Sequence, residues 1–184
     1  MKILLLSLLF QIQTEVTADT TYLDKQFNVC DKAHASYYRQ EGLESMCEDF
    51  NLDHQIMRRG AIVDGKENGK FFYFHPNGNI KGVKYFEKGK KIGLWQWWYS
   101  NGQLKEEGHW EVVKQKNGRE REQFIIKNFF DEEGNQLLSE GSGKYFAHDQ
   151  EGNLIQKGQY ENSKKTGIWY SYNTSGKIIK EEEF

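Results

Sequence analysis

The chain has a single proline and two cysteines among its 184 residues. Pro76 falls within Pro76-Asn77-Gly78, a turn sequence, so no proline interrupts a strand. Cys30 and Cys47 permit one disulfide in an oxidising compartment. Cys47 equally suits a small buried hydrophobe, and spacing along the chain does not decide between the two. Neither sign of charge dominates: 25 Lys and Arg stand against 27 Asp and Glu, a formal net charge of −2. That balance speaks against a nucleic-acid binder, which needs a basic stripe or patch. No apolar run is long enough to span a bilayer as a helix. The run at 3–10 follows Lys2 and is succeeded by Val16-Thr17-Ala18, a small-residue cleavage site ahead of Asp19. Residues 1–18 therefore read as a secretory signal whose removal leaves a periplasmic, cell-envelope or secreted protein, the competing reading being a buried N-terminal helix or strand. No cysteine follows that run closely, which speaks against a lipid anchor, and nothing points specifically to a membrane surface.

Motifs that carry chemistry are equally scarce. His34, His54, His75, His109 and His148 show no paired spacing, with each other or with cysteine, that reads as a zinc site. The stretch Asp64-Gly65-Lys66-Glu67-Asn68-Gly69 has a superficial calcium-loop look, but Lys66 stands where an acidic ligand is needed and His75 where the closing Glu belongs. Gly141-Ser142-Gly143 lacks the further glycine of a dinucleotide fingerprint, and there is no nucleophile elbow. Asp131-Glu132-Glu133 reads as a solvated turn, and Asn173-Thr174-Ser175 as a glycosylation acceptor only in a eukaryotic secretory host. No catalytic residue, metal ligand or cofactor is expected. The remote alternative is a glycan-binding or glycan-acting protein, which as an enzyme would need carboxylates such as Glu106 or Glu140 opposed across an aromatic cleft.

What the chain does have is rings and glycines in step. Aligned at Ser45, Gly69, Gly93, Gly143 and Gly167, the sequence repeats every 24 residues. The third column then reads Cys47, Phe71, Trp95, Tyr145, Trp169; the sixth, Phe50, Phe74, Trp98, His148, Tyr172; the tenth, His54, Gly78, Gly102, Gly152, Gly176. Apolar residues fill the twelfth column, and the eighteenth reads Ile62, Phe86, Trp110, Tyr160, Phe184. Each unit reads as two short strands around a tight turn whose glycine supplies positive φ. A second, basic turn is expected between units at Gly89-Lys90-Lys91-Ile92-Gly93 and at Ser163-Lys164-Lys165-Thr166-Gly167. Phe71-Phe72-Tyr73-Phe74 and Trp95-Gln96-Trp97-Trp98-Tyr99 are too continuous for simple alternation. Either both faces are covered or a bulge turns the sixth-column ring inward.

These residues resemble the MORN-variant repeat proteins, including those labelled YwqK-like antitoxins. Gly93-Leu94-Trp95, Trp98, Asn101-Gly102-Gln103-Leu104 and Gly108-His109-Trp110 follow the family pattern, as do Gly69 to Gly93 and Gly143 to Tyr160. The resemblance covers residues 45–184 with an irregular insertion at 117–142, and it implies a β-hairpin repeat sheet with no catalytic residue. Upstream, Tyr22-Leu23-Asp24-Lys25 and Ala35-Ser36-Tyr37-Tyr38-Arg39 are similar to the leader module of exported repeat proteins of Bacteroidetes-type bacteria. Bottom-up, residues 19–44 hold two short strand candidates that start the same sheet. The expected fold is thus a mostly β, antiparallel hairpin meander forming one extended, twisted sheet.

Columns five and seven carry small or polar residues in the outer units but Tyr73, His75, Trp97 and Tyr99 in the middle ones. Neighbouring repeats would align these four into an aromatic binding patch. The alternative is that Phe124, Ile125, Ile126, Phe129 and Phe130 of the irregular segment cover that face. The functional expectation is a non-catalytic exported module that holds a protein or an envelope component, or, following the family label, an antitoxin-type inhibitor that neutralises a partner protein.

Overall fold

The computed structural model describes residues 20–41, 45–115, 117–149 and 151–184. The signal-peptide expectation for residues 1–18 lies outside the described residues. Fourteen antiparallel strands form one open sheet in strict chain order, with a 3-10 turn at Lys32–His34 between the first two. No helix of the described residues is long and apolar enough to cross a membrane. The strands are β1 (Thr21–Leu23), β2 (Tyr37–Glu41), β3 (Met46–Asn51), β4 (Ile56–Val63), β5 (Lys66–Phe74), β6 (Ile80–Glu87) and β7 (Lys90–Trp98). They continue with β8 (Leu104–Lys114), β9 (Glu120–Phe130), β10 (Gln136–Ser139), β11 (Ser142–His148), β12 (Leu154–Glu161), β13 (Lys164–Tyr172) and β14 (Ile178–Glu183). The mostly β, antiparallel hairpin meander expected from the repeat is the architecture found.

Two turn chemistries alternate. Within a unit, the first turn residue donates its N–H to the carbonyl four residues on, and the fourth donates back to the first. His75 N–H meets Asn79 O at 2.9 Å while Gly78 N–H meets His75 O at 2.9 Å, and Tyr99, Asp131 and Asn173 open turns of the same kind. The fourth position needs positive φ, supplied by Gly78 (85°), Gly102 (89°) and Gly176 (77°), and in the first unit by His54 (62°). Between units the connection is only two residues long. Lys88-Gly89 (49°, 82°) and Asn162-Ser163 (50°, 62°) have the double positive φ of type I′ turns, matching the right-handed strand twist. The expected basic turns are therefore shorter than the sequence suggests, since Lys90–Trp98 and Lys164–Tyr172 are already strand.

The continuous aromatic runs are accommodated by bulges. Gly69 (80°), Gly93 (63°) and Gly167 (59°) have positive φ inside β5, β7 and β13, and each sits at a register shift against the preceding strand. The shift folds the third-column ring flat over the strand before it. A Cβ on Gly60 would lie 2.4 Å from the Phe71 ring, and one on Gly158 2.2 Å from the Trp169 ring. Trp95 and Trp169 then donate their indole N–H groups to Tyr85 O and Gln159 O, both at 3.1 Å. A second register shift follows Tyr73, Trp97 and Ser171, so the sixth-column residues Phe74, Trp98 and Tyr172 pair out of step with the strand after the turn.

Two core clusters lie along the sheet: Cys47, Phe71, Phe86 and Trp95 in one, Ile126, Phe129 and Leu138 in the other. Cys47 is buried and Cys30 partly so, and both are free thiols, so the disulfide that two cysteines allow is not formed. The leader strands β1 and β2 join the same sheet as the repeats. Residues 117–142, where the period lapses, contain β9 and β10, each paired antiparallel with its neighbours, with register shifts in the β8–β9 and β9–β10 ladders.

Candidate functional site

Strand pairing builds one row of directly opposed residues across seven strands. Asp49 faces Arg58, Arg58 faces Tyr73, Tyr73 faces Gly82, Gly82 faces Trp97, Trp97 faces Glu106, and Glu106 faces Phe129. Because opposed residues share a face, ionic, aromatic and acidic groups adjoin in that order.

The β3 end is an ion network. Asp49 is fully buried and accepts from Arg39 Nε at 2.7 Å, Arg39 Nη2 at 2.9 Å and Arg58 Nε at 2.6 Å. Arg58, also buried, pairs with Glu67 through its Nη1 and lies 3.9 Å above the Phe27 ring. Phe27 is stacked on Tyr37 with centroids 4.5 Å apart and planes 10° from parallel. It has φ of 64° and occupies the place that glycine takes in the other turns, with its N–H on Asp24 O at 3.0 Å and Asp24 N–H on Asn28 O at 2.9 Å. An aromatic residue in the left-handed region is strained by roughly 1–2 kcal/mol. Its stack on Tyr37 and its contact with Arg58 hold it there.

Past Arg58 the row opens into a cleft of about 240 Å³ lined by Phe27, Tyr37, Met57, Tyr73, Phe74, Lys81, Lys84 and Trp97. Gly82 places no side chain between Tyr73 and Trp97, which are two strands and so roughly 10 Å apart. Lys84 occupies a column that holds Gly60, Gly108 and Gly158 in other units. Its ammonium lies 4.1 Å from the Tyr73 centroid and 5.0 Å from that of Trp95. Among the described residues it pairs with no carboxylate. Burial pulls its amine down to about 8, with Lys91, Arg58 and Lys81 adding to that effect and Glu67 opposing it. Burial also pushes the Tyr73 hydroxyl up to about 12, so it stays protonated.

The structure separates the four residues that the sequence groups. Tyr73 and Trp97 line the cleft, half-buried. His75 and Tyr99 instead tie one turn to the next: the His75 ring nitrogen Nε2 lies 2.9 Å from Trp98 O, and the Tyr99 hydroxyl donates to Phe130 O at 2.9 Å. Covering by the 117–142 segment is partial, since Phe124 meets the Trp97 ring at 5.3 Å and leaves the Tyr73 side open to the cleft. Trp97→Ala is expected to cost about 1–2 kcal/mol, against about 3–5 for the buried Trp95. Urea denaturation of both variants checks this, and equal losses would make Trp97 a core column instead of a cleft wall.

Beyond Trp97, burial raises the Glu106 carboxyl above its ordinary range, and the Tyr145 hydroxyl donates to it at 3.3 Å. Glu140 lies in the turn after β10, at φ 47°, and does not share the row. Among the described residues no three His, Cys, Asp or Glu gather to hold a metal ion. A larger hollow of about 460 Å³ is lined by residues that include Arg39, Glu41, Ser45 and Cys47.

Arg58, Lys84 and the leader wall of Phe27 and Tyr37 escape the sequence reading. A signal was present for Lys84, the one basic residue in its column. No short-range signal exists for the leader wall, which is assembled by strand order.

Among known protein families, the MORN repeat variant matches this chain at residues 67–88, 91–111 and 165–184. No curated protein matches it. The matched stretches coincide with the hairpins β5–β6, β7–β8 and β13–β14, so the chain carries MORN-variant repeats, two of which supply Tyr73, Lys84 and Trp97.

Proposed function

We propose that this chain is a non-catalytic interaction module that holds a protein partner in the cleft between Tyr73 and Trp97, working outside the cytoplasm after loss of residues 1–18. The observation that carries the reading is the cleft itself. Two half-buried rings flank a glycine, and a strained Phe27 builds a further wall, an arrangement that serves contact better than it serves packing. Repeats of this family are generally protein or membrane interaction modules, which supports the same class of role. The export half of the proposal rests on the apolar run and small-residue site at the start of the sequence.

A photo-cross-linking amino acid placed at Lys81, an exposed rim residue, tests the cleft in cells of the source organism. Adducts to a defined protein are expected from Lys81, absent when the same probe replaces Glu151 and lost when Trp97→Ala is added. Identical adducts from both positions would refute the cleft as the contact surface.

A further inference from the structure

Among the described residues, the Lys84 ammonium in the cleft forms no ion pair with a carboxylate. Arg39 and Arg58 share Asp49, and Arg58 also holds Glu67, so these two carboxylates are already committed to guanidinium groups. Lys84 rests on rings instead, and Lys91, Arg58 and Lys81 bring further positive charge towards it while Glu67 opposes them. A half-buried cation that lacks an anion costs free energy in the free protein, and a charge-assisted hydrogen bond from a partner's carboxylate offsets that cost on binding. The column in which Lys84 stands takes glycine in three other units, so the repeat architecture does not require a lysine there.

The dimensions narrow the occupant. About 240 Å³ is below the usual range for a drug-sized ligand and suits one or two side chains. The walls are mostly rings, and the Trp97 indole leans over Gly82, 3.4 Å from where a Cβ would stand, so a flat or aliphatic group entering the cleft meets that indole and the Tyr73 ring. A nucleic-acid backbone needs a series of surface cations along its track, whereas this chain has a net charge of −2 and the cleft offers Lys81 at its rim and Lys84 among the rings. A negatively charged bilayer likewise draws on clustered exposed Lys and Arg.

We infer that the cleft seats an acidic segment of the partner protein, one carboxylate of which meets the Lys84 ammonium while an adjoining apolar side chain packs against Tyr73 and Trp97. This rests on the interaction reading given above and adds the chemistry of what is held. The charge on Lys84 also sets a pH window: a carboxylate's advantage is full below about 8, the amine's value in the empty cleft, and is lost as pH rises above it.

The test uses the full chain, ¹⁵N-labelled, titrated with the peptides acetyl-Asp-Phe-amide and acetyl-Asn-Phe-amide, which have nearly the same shape and differ in charge. The acidic peptide is expected to shift the Gly82 amide and the Trp97 amide and indole resonances at pH 7. Its affinity should exceed that of the neutral peptide about tenfold, the usual scale for one charge-assisted contact. The advantage should fade between pH 7 and pH 9 and vanish in Lys84→Met, with Lys84→Gln as the replacement should the methionine variant lose its dispersed spectrum. Equal binding of both peptides at Gly82 and Trp97 would overturn the acidic inference and leave the cleft as a contact surface. Shifts that avoid the cleft, or none, would overturn both. Displacement of the acidic peptide by phosphatidylserine vesicles, with the same resonances affected, would assign the cleft to lipid and overturn the protein-partner inference.

Discussion

Asp49→Ala is expected to destabilise the leader end of the sheet by about 3–5 kcal/mol, the scale of removing one partner from a buried ion pair. The carboxylate is fully buried and takes three hydrogen bonds from two arginines, one of which, Arg58, is itself only 4 % exposed. Alanine would leave the Arg58 Nε donor and both Arg39 donors without their acceptor, and Glu67 could still engage only the Nη1 of Arg58. Asp49→Asn keeps the shape and one acceptor, so a smaller loss is expected. Each strand pairs only with its sequence neighbours, so the damage should be local. Hydrogen exchange should quicken in β2 to β5 and stay unchanged in β12 to β14. Uniform loosening of the whole sheet, or a loss below about 1 kcal/mol, would contradict this account of the network.

That network shows where the sequence stops being legible. Asp49 and Arg58 belong to the first, degenerate unit, in which His54 replaces the turn glycine and Cys47 the ring, so the columns that identify a core elsewhere carry different residues. Their pairing follows from register, Asp49 opposite Arg58 and Arg58 opposite Tyr73, which no single repeat reveals. The hairpins themselves were readable because glycine at the fourth turn position is a local demand of the backbone. The third-column rings were readable because each recurs beside a glycine of positive φ. Both signals are short in range.

The segment 117–142 breaks the period for a simple mechanical reason. The glycines of successive in-unit turns, Gly102, Gly134 and Gly152, are spaced by 32 and then 18 residues, where the repeat has 24. Strands β8 and β9 run to 11 residues each, joined by a turn at Gln115 to Arg119 in place of the two-residue connection, while β10 has only 4. Length added to one hairpin is taken from the next, so the sheet continues although the sequence loses step. The candidate site was half legible for a related reason. Column five identifies Tyr73 and Trp97, but His75 and Tyr99 follow the register shift and are spent on bonds to the neighbouring turn.

At the other end of the sheet, Trp169→Ala should cost about 3–5 kcal/mol. Trp169 is 1 % exposed, contacts Tyr160 at 5.1 Å and Tyr145 at 6.0 Å between centroids, and anchors its indole on Gln159 O. Its ring lies where the Cβ of residue 158 would be, so Gly158→Ala is expected to cost about 1–3 kcal/mol by displacing it. The middle unit bounds that figure: Lys84 carries a Cβ at the equivalent position, and Trp95 still reaches Tyr85 O, so the ring has a route to yield. The two substitutions are coupled. Once Trp169 is truncated, the alanine at 158 has room, and the double variant should be no less stable than Trp169→Ala alone. That corresponds to a coupling of about 1–3 kcal/mol, measurable by chemical denaturation of the four-member cycle. Strict additivity would mean that the glycine is needed for backbone conformation and not for the ring above it. A Trp169→Ala/Asp49→Ala pair serves as the control: the residues lie ten strands apart in a sheet with neighbour-only pairing, and their effects should simply add.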